Sequence, residues 1–159
     1  MKTIIGKKHR LNLKEYCGII RASFTICVNH SSPVFINPDI PKLFVGTLKE
    51  AKQKYSCINW IYVFMPDHMH LILEGTHEYS DLWKTIVWFK QTTGYWLAKN
   101  MPGVQWQRSF YDHIHRSEKE LIKHIIYIAN NPVRKKLVKN WEDYPFTGSL
   151  DNELREIIC

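Results

Sequence analysis

The sequence lacks the patterns that define several protein classes. Its four cysteines are widely spaced and form no C-x-x-C pair, so neither a disulfide framework nor a zinc knuckle is predicted; they are Cys17, Cys27, Cys57 and Cys159. No stretch approaches the roughly 18 apolar residues of a membrane-spanning helix, and the start shows no apolar signal-peptide core. A Walker-type G-x-x-x-x-G-K-[ST] loop is also missing. We therefore expect a cytoplasmic protein with reduced thiols, no membrane attachment and no nucleotide cofactor.

The composition favours one globular domain. Of the 159 residues, 45% are hydrophobic and 13% are aromatic, which suits one core better than two. We assign residues 1–159 to a single domain, with a basic N-terminal segment at 1–17 and a C-terminal tail at 132–159. The formal net charge of +7 favours a polyanionic partner, because Lys and Arg side chains release counterions when they bind phosphates.

Hydrophobic periodicity predicts four strands and three helices. The strands are predicted at 18–28, 57–64, 68–74 and 109–115, and the helices at 41–55, 81–100 and 117–131. Ser117 and Glu120 have capping-box spacing at the start of the last helix, and Pro132 ends it at Asn131 or just before. This order predicts an α+β fold: a ferredoxin-like antiparallel sheet with helices packed on one face and the last long helix near the C-terminus.

His68 and His70 form a candidate metal-binding pair. Side chains alternate along a strand, so both imidazoles project from the same face of the predicted strand 68–74. The alternative is chance, because eight histidines make an H-x-H pattern easy to obtain. His113 and His115 are a second instance of that pattern.

Tyr127 and Asn131 are candidates on the last helix. In a helical projection Tyr127 lies opposite the apolar arc, and Asn131 follows it by four residues, so the two side chains are neighbours if the last turn is helical. The alternative for Tyr127 is an exposed surface tyrosine or one packed by a neighbouring loop. For Asn131 it is a helix-terminal residue that tolerates left-handed backbone.

These residue types suit metal-assisted cleavage of a phosphodiester. A phenol is a weak nucleophile at neutral pH, so a divalent cation is needed to polarise the phosphate and offset the charge of the transition state. Attack by tyrosine leaves a covalent phosphotyrosine, which keeps the bond energy available for rejoining without ATP.

Four segments carry a resemblance to a known family. They read MPDHMHLIL (65–73), WQRSFYDH (106–113), YIANNPVR (127–134) and WEDYP (141–145). The first resembles the HUH motif (His, hydrophobic, His) of transposases that cut single-stranded DNA with a tyrosine. The other three resemble the REP-associated branch of that family, and the similarity spans residues 19–149. The chain departs from many members after the Asn-Pro pair, where they carry His and Gly and it has Lys135, Lys136 and Leu137.

The resemblance implies a site and an activity. Tyr127 would be the nucleophile, and His68, His70 and Asn131 would bind Mg2+ or Mn2+, while His113 and His115 would not form the metal site. The implied enzyme is a transposase that cleaves and rejoins single-stranded, hairpin-bearing DNA through a 5′-phosphotyrosine, in bacterial cytoplasm and at the nucleoid when bound to DNA. Alternatives are a rolling-circle or conjugation-type nickase, a domesticated DNA-binding protein, and an RNA binder, although no RNP-type aromatic strand is present. A monomer is favoured over a homodimer.

Several residues are candidates for contacts with DNA. Phosphates are expected to meet the basic residues Lys7, Lys8, Arg10, Lys14, Arg134, Lys135 and Lys136, and bases could stack on Trp83, Trp106 or Tyr111. The alternatives are a solvated basic surface and ordinary aromatic packing. His124 or Lys123 is a candidate proton acceptor for the tyrosine.

Overall fold

The computed structural model describes residues 12–159, so Lys7, Lys8 and Arg10 lie outside the described residues. The strands are β1 Arg21–Cys27, β2 Cys57–Met65, β3 His68–Gly75, β4 Tyr111–His115 and β5 Thr147–Gly148. The α-helices are α1 Asp39–Lys54, α2 Leu82–Asn100, α3 Glu118–Ala129, α4 Asn131–Arg134 and α5 Leu154–Ile158. Short 3-10 helices lie at Leu13–Tyr16, Asn29–Ser31, Val34–Ile36 and Trp141–Asp143.

The five strands form one antiparallel sheet in the order β4-β1-β3-β2-β5. The first four strands and the helices between them follow the ferredoxin-like order, so the predicted α+β class and all seven predicted elements are confirmed. The two-residue strand β5 was not predicted, because it is too short for side-chain alternation to reveal it. In β1 and β3, Thr25 is paired with His70 and Cys27 with His68.

One face of the sheet packs against α1 and α2. The side chains of Met69, Leu71 and Leu73 in β3 belong to this larger core. Phe44 of α1 is its aromatic centre: it is fully buried, and its ring lies 5.7–6.5 Å from the rings of Phe35, Phe64, Phe89, Trp96 and Trp106. Such ring pairs stabilise the core beyond their buried area.

The opposite face of the sheet packs against α3. Ile72 of β3 belongs to this second core, together with Leu121, Ile125 and Ile128 of α3. The expectation that all the helices share one face is therefore wrong for α3. The reason is that side chains alternate along β3, so that neighbouring apolar residues of this strand enter different cores. Both faces of the sheet therefore carry apolar side chains that a helix can cover.

The ends of α3 follow the predicted signals. The Ser117 hydroxyl accepts a hydrogen bond from the Glu120 backbone N–H at 3.1 Å, as in a capping box. The Glu120 carboxylate accepts from the Arg116 N–H instead of the cap residue's own N–H. The helix ends at Ala129, and the short α4 follows with Pro132 in its first turn. Asn131 does not have the left-handed backbone that the alternative interpretation required.

All four cysteines are free, as predicted. Within residues 12–159, none of the helices combines the length and the apolar character needed to cross a membrane.

Replacing Phe44 by Ala is expected to destabilise the fold by about 3–5 kcal/mol, because it empties the centre of the aromatic core. The matched control is Leu43→Ala, which truncates the adjacent side chain on α1, 44% exposed, and should change the stability by about 0.5 kcal/mol or less. Urea unfolding measures both free energies. Equal effects of the two substitutions would contradict the assigned centre of the core.

Candidate active site

The structure places His68 and His70 side by side on the α3 face of the sheet. Their ring centroids are 4.8 Å apart, with the ring planes nearly perpendicular. The Nδ1 atom of His70 bonds to the Thr25 hydroxyl at 2.9 Å, and Nδ1 of His68 bonds to the Asp67 carboxylate at 2.6 Å. Metal-ligating histidines characteristically bind the metal through one ring nitrogen and a neighbouring group through the other. Both imidazoles therefore have the arrangement of ligands that coordinate through Nε2.

Asn131 and Arg134, both in α4, lie next to this pair of histidines. The Asn131 side chain is buried, and its Nδ2 lies 3.0 Å from Nε2 of His70. Its Oδ1 accepts a hydrogen bond from the Arg134 guanidinium at 3.2 Å. The same guanidinium lies over the Tyr127 ring, 3.7 Å from its centroid, in a cation-π contact. A continuous chain of contacts thus joins His70, Asn131, Arg134 and Tyr127.

Tyr127 is 59% exposed and lies outside the apolar stripe of α3, as the helical projection predicted. It opens onto a pocket of about 220 Å³ that also contains His70 and Asn131. The other residues that line this pocket are Ser23, Thr25, Tyr111, Asp112, His113, His124 and Ile128. His68 lines a different pocket, which it shares with Asp67 and Lys135.

Burial keeps the His70 imidazole neutral. It lowers the pKa of His70 to about 3, and the neighbouring His68, His124 and Arg134 add to this effect as positive charges. A neutral imidazole has a lone pair available for a cation. At neutral pH His70 is therefore in the state that a metal ligand requires.

The second H-x-H pair lies next to this site in another group. The ligand atoms of His113, His115 and Glu120 all lie within 4.8 Å of one another. His115 is buried, and its Nε2 lies 3.2 Å from Nδ1 of His124. Burial lowers the pKa of His115 to about 4, with His124 and His113 contributing. The chain thus carries two histidine groups close to the Tyr127 pocket.

The residues predicted to contact DNA or to accept the tyrosine proton differ in whether they line the Tyr127 pocket. Lys14 is exposed and does not line the Tyr127 pocket. Trp106 is buried and its indole N–H donates to Thr93, so it is a packing residue and not a platform for bases. Tyr111 is 64% exposed and does line the Tyr127 pocket. Of the two candidate proton acceptors, His124 lines this pocket and Lys123 does not.

Two supporting residues were missed by sequence reasoning. Asp67 was interpreted only as part of a turn, although its position beside His68 was a local signal that it could orient the imidazole. Thr25 gave no signal, because it meets His70 only through the pairing of β1 with β3.

Comparison with known proteins identifies the family. The family model described as "Transposase IS200 like" matches residues 19–131. The REP-associated tyrosine transposase of Escherichia coli (strain K12) is 37% identical over 127 residues, which cover 78% of this chain and 73% of that protein. A solved structure of a REP-associated tyrosine transposase bound to a REP hairpin superposes with a TM-score of 0.72 at 23% identity, covering 87% of this chain and 80% of the other. This last likeness supports the fold. The chain therefore belongs to the IS200-like transposases, in the REP-associated branch, and is a tyrosine transposase.

Proposed function

We propose that the chain cleaves and rejoins single-stranded, hairpin-bearing DNA, using Tyr127 as nucleophile beside a divalent metal held by His68, His70 and Asn131. The observation that carries this proposal is the chain of contacts from His70 through Asn131 and Arg134 to Tyr127. The relatives are bacterial proteins, and one solved relative was bound to a REP hairpin, which supports hairpin DNA as substrate and the bacterial cytoplasm as location.

In the proposed reaction, the scissile phosphate of the DNA becomes covalently bound to the tyrosine. The Tyr127 oxygen attacks the scissile phosphorus, the phosphorus–O3′ bond breaks, and a 5′-phosphotyrosine and a free 3′-hydroxyl result. The phenol proton goes to a base, for which His124 is the candidate that lines the same pocket, and the leaving 3′ oxygen takes up a proton. Rejoining is the reverse displacement, in which a 3′-hydroxyl attacks the phosphotyrosine.

His68 and His70, each held through Nδ1, would bind a divalent cation through Nε2. Asn131 would complete the site through Oδ1, which would have to take the place of its Nδ2 beside His70. The family resemblance implies Mg2+ or Mn2+ as the cation. When bound there, the cation supplies Lewis-acid polarisation of the phosphate. Arg134 supplies a further positive charge in the same place, because it contacts both Asn131 and Tyr127.

We further propose that the chain acts as one domain and one copy, because Tyr127, His70 and Asn131 of the same chain line one pocket. Lys135 and Lys136 follow Arg134 directly and are exposed. Lys135 lines the pocket that contains His68. These lysines are therefore suited to contact the DNA backbone near the metal.

Replacing Tyr127 by Phe is expected to reduce covalent attachment of the protein to a hairpin oligonucleotide to the level of a sample without protein, because the attacking oxygen is gone. The measurement is a denaturing gel with labelled DNA and Mn2+. Tyr95→Phe, on exposed surface of α2, is the control and should keep the adduct. If Tyr111→Phe removed the adduct and Tyr127→Phe kept it, the nucleophile would be Tyr111. Retained hairpin binding without cleavage by the native chain would favour a DNA-binding protein.

Replacing Thr25 by Val is expected to raise the Mn2+ concentration for half-maximal cleavage by about 10- to 100-fold, because it removes the partner of Nδ1 in His70 while preserving shape. Cleavage at saturating Mn2+ should recover. Ser23→Ala removes a hydroxyl from the same strand that contacts the His113 carbonyl and not His70, so it should leave this concentration unchanged. An unaltered metal requirement in Thr25→Val would show that the hydrogen bond from Thr25 does not support His70 as a metal ligand.

Replacing Lys135 by Ala is expected to weaken hairpin binding for all sequences alike and to reduce the slope of log affinity against log salt concentration by about one unit. Fluorescence anisotropy at several salt concentrations measures both effects. Lys49→Ala, an exposed lysine on α1, removes the same charge on the other side of the sheet and should leave the slope unchanged. Equal slopes for both variants would show that Lys135 does not contact the DNA backbone.

A further inference from the structure

The group formed by His113, His115 and Glu120 lies where β4 leads into α3. His113 and His115 are on β4, and Glu120 is in the first turn of α3, seven residues before Tyr127. Nε2 of His113 contacts Oε1 of Glu120, and Nδ1 of His115 lies 3.7 Å from the same oxygen. Three side chains from two elements of the fold thus bring atoms that could bind a metal within 4.8 Å of one another.

The buried member of the group has an unsatisfied polar atom. The His115 side chain is completely buried, and its Nδ1 has no hydrogen-bond partner among residues 12–159. Buried polar atoms are nearly always paired in native proteins, and an exception often marks an absent ion or water. This atom lies 3.7 Å from the Glu120 oxygen that also contacts His113. A cation between these atoms would satisfy it.

The second ring nitrogen of His115 also contacts a neighbouring side chain, as is usual for a histidine that binds a metal. Its other nitrogen, Nε2, faces Nδ1 of His124 at 3.2 Å. A metal on Nδ1 of His115 fixes the proton on Nε2, which then donates to His124, as ligating histidines generally do to a neighbouring group.

We propose that His113, His115 and Glu120 form a second metal site, for a transition-metal dication such as Zn2+, which fastens β4 to the first turn of α3. Two imidazoles and one carboxylate are the three-ligand set of many zinc sites, with a fourth position open to water. Adjacent ligand atoms around tetrahedral zinc are about 3.4 Å apart, so atoms now within 4.8 Å reach this geometry by small side-chain rotations. This proposal does not rest on Tyr127 as the nucleophile or on the ligands His68, His70 and Asn131.

The test is binding of Zn2+ and Co2+ to the full chain carrying His70→Ala, which disables the proposed catalytic site. We expect one equivalent of Zn2+ by calorimetry, and a Co2+ spectrum with tetrahedral visible bands and no thiolate charge-transfer band, which excludes the four cysteines. Adding His113→Ala should weaken Zn2+ binding by more than the roughly 10- to 100-fold expected when a residue that only hydrogen-bonds to a metal ligand is replaced. Zn2+ should also raise the Tm of the His70→Ala protein and not that of the double variant.

Two further variants separate a ligand role from a structural one. Glu120→Gln keeps a side-chain oxygen that accepts from the Arg116 N–H at the start of α3, but it removes the carboxylate that would bind the metal. This variant should therefore fold and lose Zn2+ affinity. His77→Ala removes an exposed imidazole outside the group and should bind Zn2+ normally. Unchanged Zn2+ affinity in both His113→Ala and Glu120→Gln, or no binding at all once His70 is replaced, would overturn the proposal.

Discussion

The alternation of side chains along β3 is the constraint on which the rest of this structure depends. Its odd-numbered members, Met69, Leu71 and Leu73, enter the core beneath α1 and α2. His68 and His70 point to the other face, where Ile72 anchors α3. One strand therefore holds the two layers together and presents the imidazoles to the helix that carries Tyr127. A slip of one residue in register would move the histidines into the larger core.

The polar face has to be supported, because half-buried imidazoles and a buried amide are costly without partners. The structure meets this requirement with contacts between elements that are distant in sequence. Thr25 of β1 holds His70, and His70 in turn meets Asn131 after α3. Arg134 is tied to Asn131 and to the Tyr127 ring. The same contacts that satisfy buried polar atoms therefore orient the groups to which we assign the chemistry.

Local signals were sufficient for the elements of the fold. Alternation and helical spacing predicted four of the five strands and the three long helices, and the capping residue Ser117 and the break at Pro132 gave the ends of α3. The same signals gave Tyr127 its place away from the apolar stripe. They failed for the face on which α3 packs, because an apolar stripe says that a helix is covered but not by which side of a sheet.

The sequence by itself determined which side chains share a strand face or a helix face, because the periods of 2 and 3.6 residues are properties of the local backbone. It also determined the family through ordered motifs that span most of the chain. Only the tertiary structure decided that Thr25 supports His70, that Arg134 covers Tyr127, and that His113 and His115 meet Glu120. The physical reason is that these contacts depend on strand register and on how α3 docks, and both are set by packing across the whole sheet and not by the neighbours of any one residue.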